Sequence, residues 1–287
     1  MSLAIIGLGN MGSAIAEAAI AGGHHVAVWN RTADKAATFA DRATVAESVA
    51  EAIAATDIQV WVLSDYETTE AVLAETDVSA ALAGKTFVQL CSGTPAEARA
   101  LSAKVTDLGA RYLDGKIFTY PARVGAEMTR FAYSGDEAIY KACAPTLMTF
   151  GARSGWLGPD PGFAAAADLA WLSYLYGSMV GLFQGLAFTR AEGMPDEAVF
   201  GSVPSWLVEI DAEARYSKDL IERGDFHGGQ AELDVHFAAM QHLLDTAQAT
   251  GISDAFPRMI VDVFGEALER GYGGMEITGG LDVFCKP

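Results

Sequence analysis

The stretch that decides the fold is residues 163–188, which read FAAAADLAWLSYLYGSMVGLFQGLAF. Alanine and leucine favour a helix, and the first sequence that would end one is Gly193-Met194-Pro195. A helix of this length is roughly 40 Å long, which exceeds the width of a small domain. Because it is apolar on nearly every face, it has to be buried on nearly every face. The sequence therefore predicts a second subunit that covers the helix.

Asp168 is the only charged residue in this stretch. A carboxylate here, with no cluster of lysine or arginine at either end, argues against a transmembrane helix. Burying an unpaired carboxylate is costly, and carboxylates kept in such places are often functional. The alternative is that Asp168 pairs with a distant arginine or caps a turn.

The composition limits the classes of protein. A chain of 287 residues suits two domains or one large one, and 51% of its residues are hydrophobic. Its formal net charge of −18 argues against nucleic acid and against anionic membrane surfaces as partners. The cysteines, at 91, 143 and 285, do not have metal-binding spacing. With no targeting sequence at the amino terminus, we expect a soluble cytoplasmic protein without a metal site.

A glycine-rich loop follows the first predicted strand, residues 3–6, and precedes a predicted helix, residues 13–21. Its sequence, GLGNMG, is a GxGxxG motif in the setting that dinucleotide binding requires. The first glycine makes the turn, the second admits the pyrophosphate, and the third lets helix and strand pack closely. The helix amino terminus then faces the phosphates. The cofactor contacts predicted in this loop are Gly7, Leu8, Gly9, Asn10, Met11 and Gly12.

The end of the second predicted strand, residues 25–29, selects the dinucleotide. NAD-binding proteins usually carry an acidic residue there, which holds the ribose 2′-hydroxyl. Here the chain reads Asn30-Arg31-Thr32, and Lys35 follows one helical turn later. Arg31 can pair with a 2′-phosphate and stack on adenine. The sequence therefore predicts NADPH, with Asn30, Arg31, Thr32 and Lys35 at the 2′-phosphate.

Alternating strands and helices continue to about residue 114 and predict a doubly wound parallel sheet. Ligands of such sheets bind at the carboxyl ends of the strands. We therefore expect Leu63, Ser64, Ser92 and Thr94 to border the nicotinamide, although Ser92 and Thr94 could instead cap a helix. The strands expected beyond the second are residues 57–63, 86–90, 111–114, 116–123, 131–134 and 153–157.

A segment rich in glycine and proline, residues 155–162, marks a domain boundary. We expect an amino-terminal Rossmann domain over residues 1–160, and an all-α dimerisation and substrate domain over residues 161–287, beginning with the long interdomain helix. The other helices expected in the second domain are residues 196–200, 205–221, 230–249 and 254–269, before a glycine-rich tail.

The GLGNMG amino terminus, the α/β domain and the long interdomain helix together resemble the β-hydroxyacid dehydrogenase superfamily. In that superfamily the proton-transfer lysine lies on the long helix just after the domain boundary. Here no lysine occurs between Ala142 and Ser217. A hydroxyacid dehydrogenase activity would therefore lack its usual acid/base group.

Residues 160–168, DPGFAAAAD, followed by Tyr176-Gly177, resemble the imine reductase and reductive aminase branch of the superfamily. The segments Asn30-Arg31-Thr32 and Leu113-Asp114-Gly115 are similar to the same branch. The resemblance covers the whole chain and implies NADPH-dependent reduction of an imine, or of a ketone plus an amine. One departure is Ser92, where reductive aminases commonly have asparagine, which weakens the case for condensing a free amine with a ketone.

The resemblance also implies roles for residues of the long helix and beyond. Asp168 would donate a proton to the substrate nitrogen or stabilise an iminium by its charge, with Tyr176 close to the same helix face. Trp206, Met240 and Gln241 would line the substrate pocket. The alternatives are that Tyr176 is an interface aromatic and that Trp206 and Met240 are core residues.

Three functions are compatible with the sequence. The first is an NADPH-dependent imine reductase that works as a homodimer, in which the long helix packs against the partner's carboxyl-terminal helices. The second is a hydroxyacid or carbonyl reductase that uses Asp168 in place of lysine. The third is a non-catalytic NADPH-binding dimer, for which a buried, unpaired carboxylate would have no use.

Overall fold

A computed structural model describes residues 1–285, so the last two residues of the predicted second domain lie outside it. By contacts, the described chain forms two compact units, residues 1–174 and a second unit from Leu175 onward. The division falls inside the long helix, fourteen residues beyond the boundary that the sequence suggests. The boundary at residue 160 stays a prediction.

One eight-stranded sheet is the centre of the first unit, in the order β3-β2-β1-β4-β5-β6-β7-β8. All neighbouring strands are parallel except β6 and β7, which pair antiparallel. The strands are β1 (Ser2–Ile6), β2 (His25–Trp29), β3 (Thr44–Val45), β4 (Ile58–Trp61), β5 (Thr86–Gln89), β6 (Arg111–Ile117), β7 (Phe131–Gly135) and β8 (Gly155–Trp156).

Helices cover both faces of this sheet. Along β1, Leu3 and Ile5 belong to one buried apolar cluster, whereas Ala4 and Ile6 belong to the other. A strand with apolar residues on both faces is what a sheet between two helical layers requires. The helices of the first unit are α1 (Asn10–Ala21), α2 (Ala33–Ala37), α3 (Val49–Ala54), α4 (Tyr66–Leu73), α5 (Thr76–Ala81), α6 (Pro95–Asp107) and α7 (Glu137–Leu147).

The predicted strand over residues 116–123 is wrong. Strand β6 continues through Lys116 and ends at Ile117, and Pro121–Arg123 form a 3-10 turn. Pro121 cannot donate to a strand ladder, which explains why the strand does not extend through it. Helix α7 was not foreseen, and it contains a proline, Pro145, within its last turn.

The long helix, α8 (Gly162–Ala191), is thirty residues long, slightly longer than the sequence suggests. After it come α9 (Asp196–Arg223), α10 (Leu233–Thr250) and α11 (Ala255–Glu269), then a 3-10 segment, Ile277–Val283, in the glycine-rich tail. The two short helices predicted within 196–221 are one continuous helix that passes through Pro204. In the described part of the chain, no helix is long and apolar enough to cross a membrane.

The second unit is built on the pairing of α10 with α11, closed by the 3-10 segment. Buried Glu276 holds the connection before α10, because its carboxylate accepts hydrogen bonds from the N–H groups of Gln230 and Ala231, at 2.8 and 3.2 Å. Together with the first unit, this confirms the predicted α/β fold with a parallel sheet and a helical carboxyl-terminal region.

Candidate active site

The glycine loop between β1 and α1 has the geometry of a phosphate cradle. Gly7 has a φ of +100°, and its N–H donates to the carbonyl of Trp29. A Cβ on Gly12 would lie 1.9 Å from the carbonyl oxygen of Gly7, so only glycine permits this helix to start so close to the strand. A Cβ on Gly9 would meet no atom of the described residues within 4 Å, which leaves open space at that glycine.

The amino terminus of α1 is available for an anion. Its N-cap residue is Gly9, and no side chain caps the first turn. The free N–H groups of a helix amino terminus bind phosphate well. Asn30 shapes the loop, since its Oδ1 accepts from the N–H of Leu8 over 2.8 Å and its Nδ2 donates to the carbonyl of Thr32. Asn30 therefore orients the loop with both ends of its amide.

A cavity of about 460 Å³ extends from this loop along the ends of β2 and β4. Arg31 and Lys35 line it, both exposed, and neither forms an ion pair within residues 1–285. Two unpaired cations are a suitable donor set for a phosphate monoester. The glycine cradle, the uncapped helix and the two cations thus fit a phosphorylated dinucleotide. The cavity is lined by Gly7, Gly9, Trp29, Asn30, Arg31, Thr32, Lys35, Val62, Leu63, Ser64, Thr68 and Val72.

A second, inner cavity of about 230 Å³ lies beside the first and shares residues 62–64 with it. It contains the carboxylate that the sequence singled out. Its lining is Met11, Val62, Leu63, Ser64, Leu90, Cys91, Ser92, Lys116, Ile117 and Asp168. Four of the predicted cofactor residues therefore share a cavity with Asp168, namely Met11, Leu63, Ser64 and Ser92.

The start of α8 is joined to α6 through Asp160, which helps to place Asp168. Asp160 accepts from the N–H of Gly162 and from Nε of Arg99, both over 2.8 Å. These contacts, with that of Arg99 the largest, lower the pKa of the Asp160 carboxyl. Ala164 and Ala165 are fully buried, so the start of α8 packs through residues without long side chains.

Asp168 is 5% exposed, and among the described residues it has no hydrogen-bond partner. Burial raises the pKa of its carboxyl above the ordinary aspartate value, the positive charge of Lys116 opposes that rise, and Asp114 adds to it. A buried carboxylate without a partner, at the wall of a cavity, is available to a ligand.

A buried cluster of polar side chains lies next to this cavity. Lys116 Nζ donates to Asp114 Oδ1 over 2.7 Å and to the hydroxyl of Tyr66 over 2.8 Å. Asp114 Oδ2 accepts from the hydroxyls of Tyr66 and Tyr112, the latter over 2.8 Å. Lys116 and Asp114 are 1% and 0% exposed. Lys116 also lies over the Tyr66 ring, 5.1 Å from its centroid.

Sequence reasoning missed Lys116, because a single lysine in a predicted strand is usually an exposed edge residue. A signal was nevertheless present. Asp114 and Lys116 alternate with Gly115 and Ile117 on a strand, and the residues just before them, Tyr112 and Leu113, are hydrophobic. Two opposite charges at spacing two share one face of a strand. In the middle of a sheet that is buried on both faces, such a pair is expected to be buried.

Thr94 and the residues of the second unit have different surroundings. Thr94 is the N-cap of α6 in a capping box: its hydroxyl accepts from the N–H of Glu97 and donates to the Glu97 carboxylate. Thr94 does not line either cavity, so its hydroxyl serves the alternative role that the sequence allowed. In the second unit, Tyr176 and Trp206 are 63% and 46% exposed, and Met240 is 8% exposed.

Comparison with known proteins assigns both parts of the chain. Residues 2–158 match the family described as the NAD binding domain of 6-phosphogluconate dehydrogenase, and residues 160–286 match the NADPH-dependent reductive aminase-like, C-terminal domain. An imine reductase from Myxococcus stipitatus, solved in complex with NADP+, is 30% identical, with a TM-score of 0.94 over 99% of this chain and 100% of that chain. The chain belongs to the imine reductase and reductive aminase family.

Two fungal relatives agree with this family. A reductive aminase from Aspergillus terreus, solved with NADPH and ethyl levulinate, is 31% identical and superimposes with a TM-score of 0.91 over 99% of both chains. The NADPH-dependent reductive aminase of Aspergillus oryzae is 29% identical over 287 residues, or 98% of this chain and 96% of the relative. The family membership, the oxidoreductase class and the dinucleotide-binding domain predicted from the sequence are confirmed.

Proposed function

We propose that this protein reduces C=N bonds of imines to amines with NADPH, and that Asp168 serves the substrate nitrogen. The observation that carries the proposal is the buried, unpartnered carboxylate in a cavity that adjoins the dinucleotide cradle. Bound NADPH supplies a hydride to the imine carbon. What the protein has to supply is a place for the nitrogen and its positive charge.

The residues around the two cavities suggest how this is done. The glycine loop and the α1 amino terminus would bind the pyrophosphate, and Arg31 with Lys35 the 2′-phosphate. Leu63, Ser64 and Ser92 would border the reacting end of the cofactor. Asp168 would then face the nitrogen as a proton donor or as a counter-charge, because a carboxyl with a raised pKa can do either.

The experiment is a screen of cyclic imines with NADPH, followed by absorbance at 340 nm, in wild type and Asp168→Ala. General acid or electrostatic assistance is typically worth about 10²–10⁴-fold in rate. We expect Asp168→Ala to lose about that much kcat with NADPH affinity nearly unchanged. The matched control is Asp211→Ala, an exposed aspartate on α9. Wild-type kcat in Asp168→Ala would rule out the proposed role.

A second candidate, reduction of a carbonyl compound, is favoured by one observation, the position of Lys116. Its buried ammonium lines the inner cavity, where it could donate a hydrogen bond to a carbonyl oxygen. It would then replace the lysine that the long helix lacks. Aldehydes and 2-oxo acids belong in the same screen. If they are reduced faster than every imine, the carbonyl function is the correct one.

We further propose that the working form is a homodimer. In one chain, the middle of α8 exposes Tyr176, Val180 and Phe183, although this helix is apolar all round. On α9, Leu207 and Val208 are 56% and 65% exposed. Exposed apolar surfaces of this kind mark protein interfaces. A second copy of the chain would form a large, obligate interface here, with a buried area above roughly 2,000 Å². The partner's Trp206, Met240 and Gln241 would then complete each substrate pocket.

A further inference from the structure

Lys116 and Asp114 form an ion pair inside the first unit, and the proposed reaction does not use it. Both side chains leave the same face of β6, with Nζ and Oδ1 2.7 Å apart. Removing two charges from water often costs more free energy than their mutual attraction returns. A protein with an apolar pair of similar volume in their place is often as stable. A pair kept beside a cavity therefore calls for a functional explanation.

The pair has a defined direction with respect to the cavity. Lys116 lines the inner cavity, whereas Asp114 does not. The Lys116 ammonium donates two of its three hydrogens, one to Asp114 Oδ1 and one to the Tyr66 hydroxyl. Within the described chain it has no third acceptor. Asp114 is enclosed by the hydroxyls of Tyr66 and Tyr112. The positive end of the pair therefore faces the cavity and its negative end faces the protein interior.

Among residues 1–285, Asp168 is the only other charged residue that lines this cavity. The remaining titratable group of the lining is Cys91, and burial raises the pKa of its thiol to about 12, so it is neutral. From β6, Lys116 and Asp114 act on Asp168 with opposite signs, and the effect of Lys116 is the larger. From α4, Tyr66 contributes a neutral hydroxyl that is bonded to both members of the pair.

We propose that Lys116 is a positioning residue whose charge keeps Asp168 ionised at neutral pH, so that the site selects substrates that arrive as cationic iminium ions. This rests on the proposed function, because it assumes that Asp168 faces the substrate nitrogen. The pair is internally neutral, which leaves one net negative charge, that of Asp168. One iminium cation neutralises it.

This inference separates the two roles left open for Asp168. A carboxylate that is already ionised cannot donate a proton, so a neutral imine has to take its proton from water before hydride transfer. Without Lys116, the charge of Asp114 would be uncompensated and would repel a second carboxylate. Asp168 would then hold its proton to higher pH, and the site would favour neutral imines.

The first test needs no cofactor. The carboxyl carbons of aspartate are titrated by 13C NMR in the cofactor-free protein, and Asp168→Asn identifies the Asp168 signal by its loss. We expect the Asp168 signal to titrate at higher pH in Lys116→Met than in wild type, and close to wild type in Lys116→Arg. Lys141→Met, at an exposed lysine on α7, is the matched control. An unchanged titration in Lys116→Met would overturn the proposal.

The second test compares a cyclic imine with its N-methylated iminium analogue, which is permanently charged. At neutral pH we expect Lys116→Met to lose about tenfold or more in kcat/KM on the iminium, with a smaller loss on the imine, because once the pKa of Asp168 exceeds the pH each further pKa unit lowers its ionised fraction about tenfold. The loss on the iminium should shrink as the pH rises. Equal losses on both substrates at every pH would mean that Lys116 is only structural.

A second variant is needed if Lys116→Met does not fold. The double variant Asp114→Asn, Lys116→Met removes both charges of the pair, so neither is left unpaired, and the Asp168 carboxyl is titrated in that protein instead. We expect the Asp168 signal to move to higher pH there too, because the larger effect has been removed with Lys116. If Asp168→Asn keeps full activity, the proposed function fails, while the titration still decides whether Lys116 controls Asp168.

Discussion

The hydroxyl of Ser134 accepts a hydrogen bond from the N–H of Ala164 over 3.0 Å, and it donates to the carbonyl of Pro161 over 2.8 Å. Ser134 lies on β7 and is fully buried. A single side chain thus joins the sheet to the first turn of α8, four residues before Asp168. The position of the candidate catalytic carboxylate relative to the sheet therefore depends on a contact at the helix start.

Ser134→Ala should weaken this junction. The change leaves the N–H of Ala164 and the carbonyl of Pro161 without their buried partner, which typically costs about 1–3 kcal/mol. Urea unfolding of the variant should show that loss in the free energy of unfolding. The control is Ser173→Ala, an exposed serine whose hydroxyl bonds back to the carbonyl of Leu169. If the free energy of unfolding falls equally little in both variants, the Ser134 hydrogen bonds do not stabilise the start of α8.

Arg31→Ala should lower the affinity for NADPH more than the affinity for NADH, which has no 2′-phosphate. A hydrogen bond to a charged group contributes about 1.5–3 kcal/mol, and every 1.4 kcal/mol is tenfold in affinity. Nucleotide fluorescence on binding measures both affinities. Arg42→Ala is the matched control, because Arg42 is paired with Glu17 on the surface. Equal NADPH affinities in wild type and Arg31→Ala would refute the assignment of Arg31.

Alanine at Gly12 and at Gly9 should have different consequences. At Gly12, the new Cβ would collide with the Gly7 carbonyl, and such overpacking costs about 1–3 kcal/mol of stability. At Gly9, the new Cβ meets no protein atom and the backbone is extended, so the fold should keep its stability. It would however stand where the pyrophosphate approaches. Thermal unfolding and NADPH binding, measured on both variants, separate the two effects.

Asp168→Asn should be more stable than wild type at neutral pH. Burial raises the pKa of Asp168 in the folded chain, so between the unfolded and the folded pKa the folded state binds more protons. Stability therefore falls as pH rises through that window, by about 1.4 kcal/mol per unit of difference. Asparagine removes this loss. The free energy of unfolding, measured from pH 3 to 8, tests it, and parallel curves for the two proteins would contradict the prediction.

The control for this pH series is Asp211→Asn, whose effect on the free energy of unfolding should have the opposite sign. The Arg215 guanidinium lowers the pKa of the exposed Asp211 carboxyl. A lowered pKa contributes stability above the unfolded value that is lost as pH falls through the folded value. Any difference between wild type and Asp211→Asn should therefore appear at neutral pH as a small stabilisation of wild type.

Val208→Asp should convert the proposed dimer to monomers, because a carboxylate on an apolar interface has to be dehydrated on association. Light scattering at micromolar concentration should give twice the chain mass for wild type and the chain mass for the variant. Met128→Asp, at an exposed methionine of the first unit, should behave like wild type. A wild-type protein that is monomeric at this concentration would remove the basis for the shared active site.

Several parts of the site could be predicted because they depend on residues close together in the chain. The glycine loop from Gly7 to Gly12 needs only a strand before it and a helix after it, and both are evident from the sequence. Arg31 and Lys35 follow the second strand in the same local manner. Asp168 was notable because a charge in an apolar helix is unusual wherever that helix packs.

The sequence by itself determined the dinucleotide loop, the parallel sheet, the long apolar helix and its one carboxylate, since each follows from local pattern and turn chemistry. Only the tertiary structure decided that Lys116 is buried beside that carboxylate. Tyr66 and Lys116 are fifty residues apart, and their contact arises because parallel strands and their connecting helices bring the ends of β4, β5 and β6 together. Whether a lysine is exposed or lines a cavity depends on which elements cover its strand, and that is a property of packing.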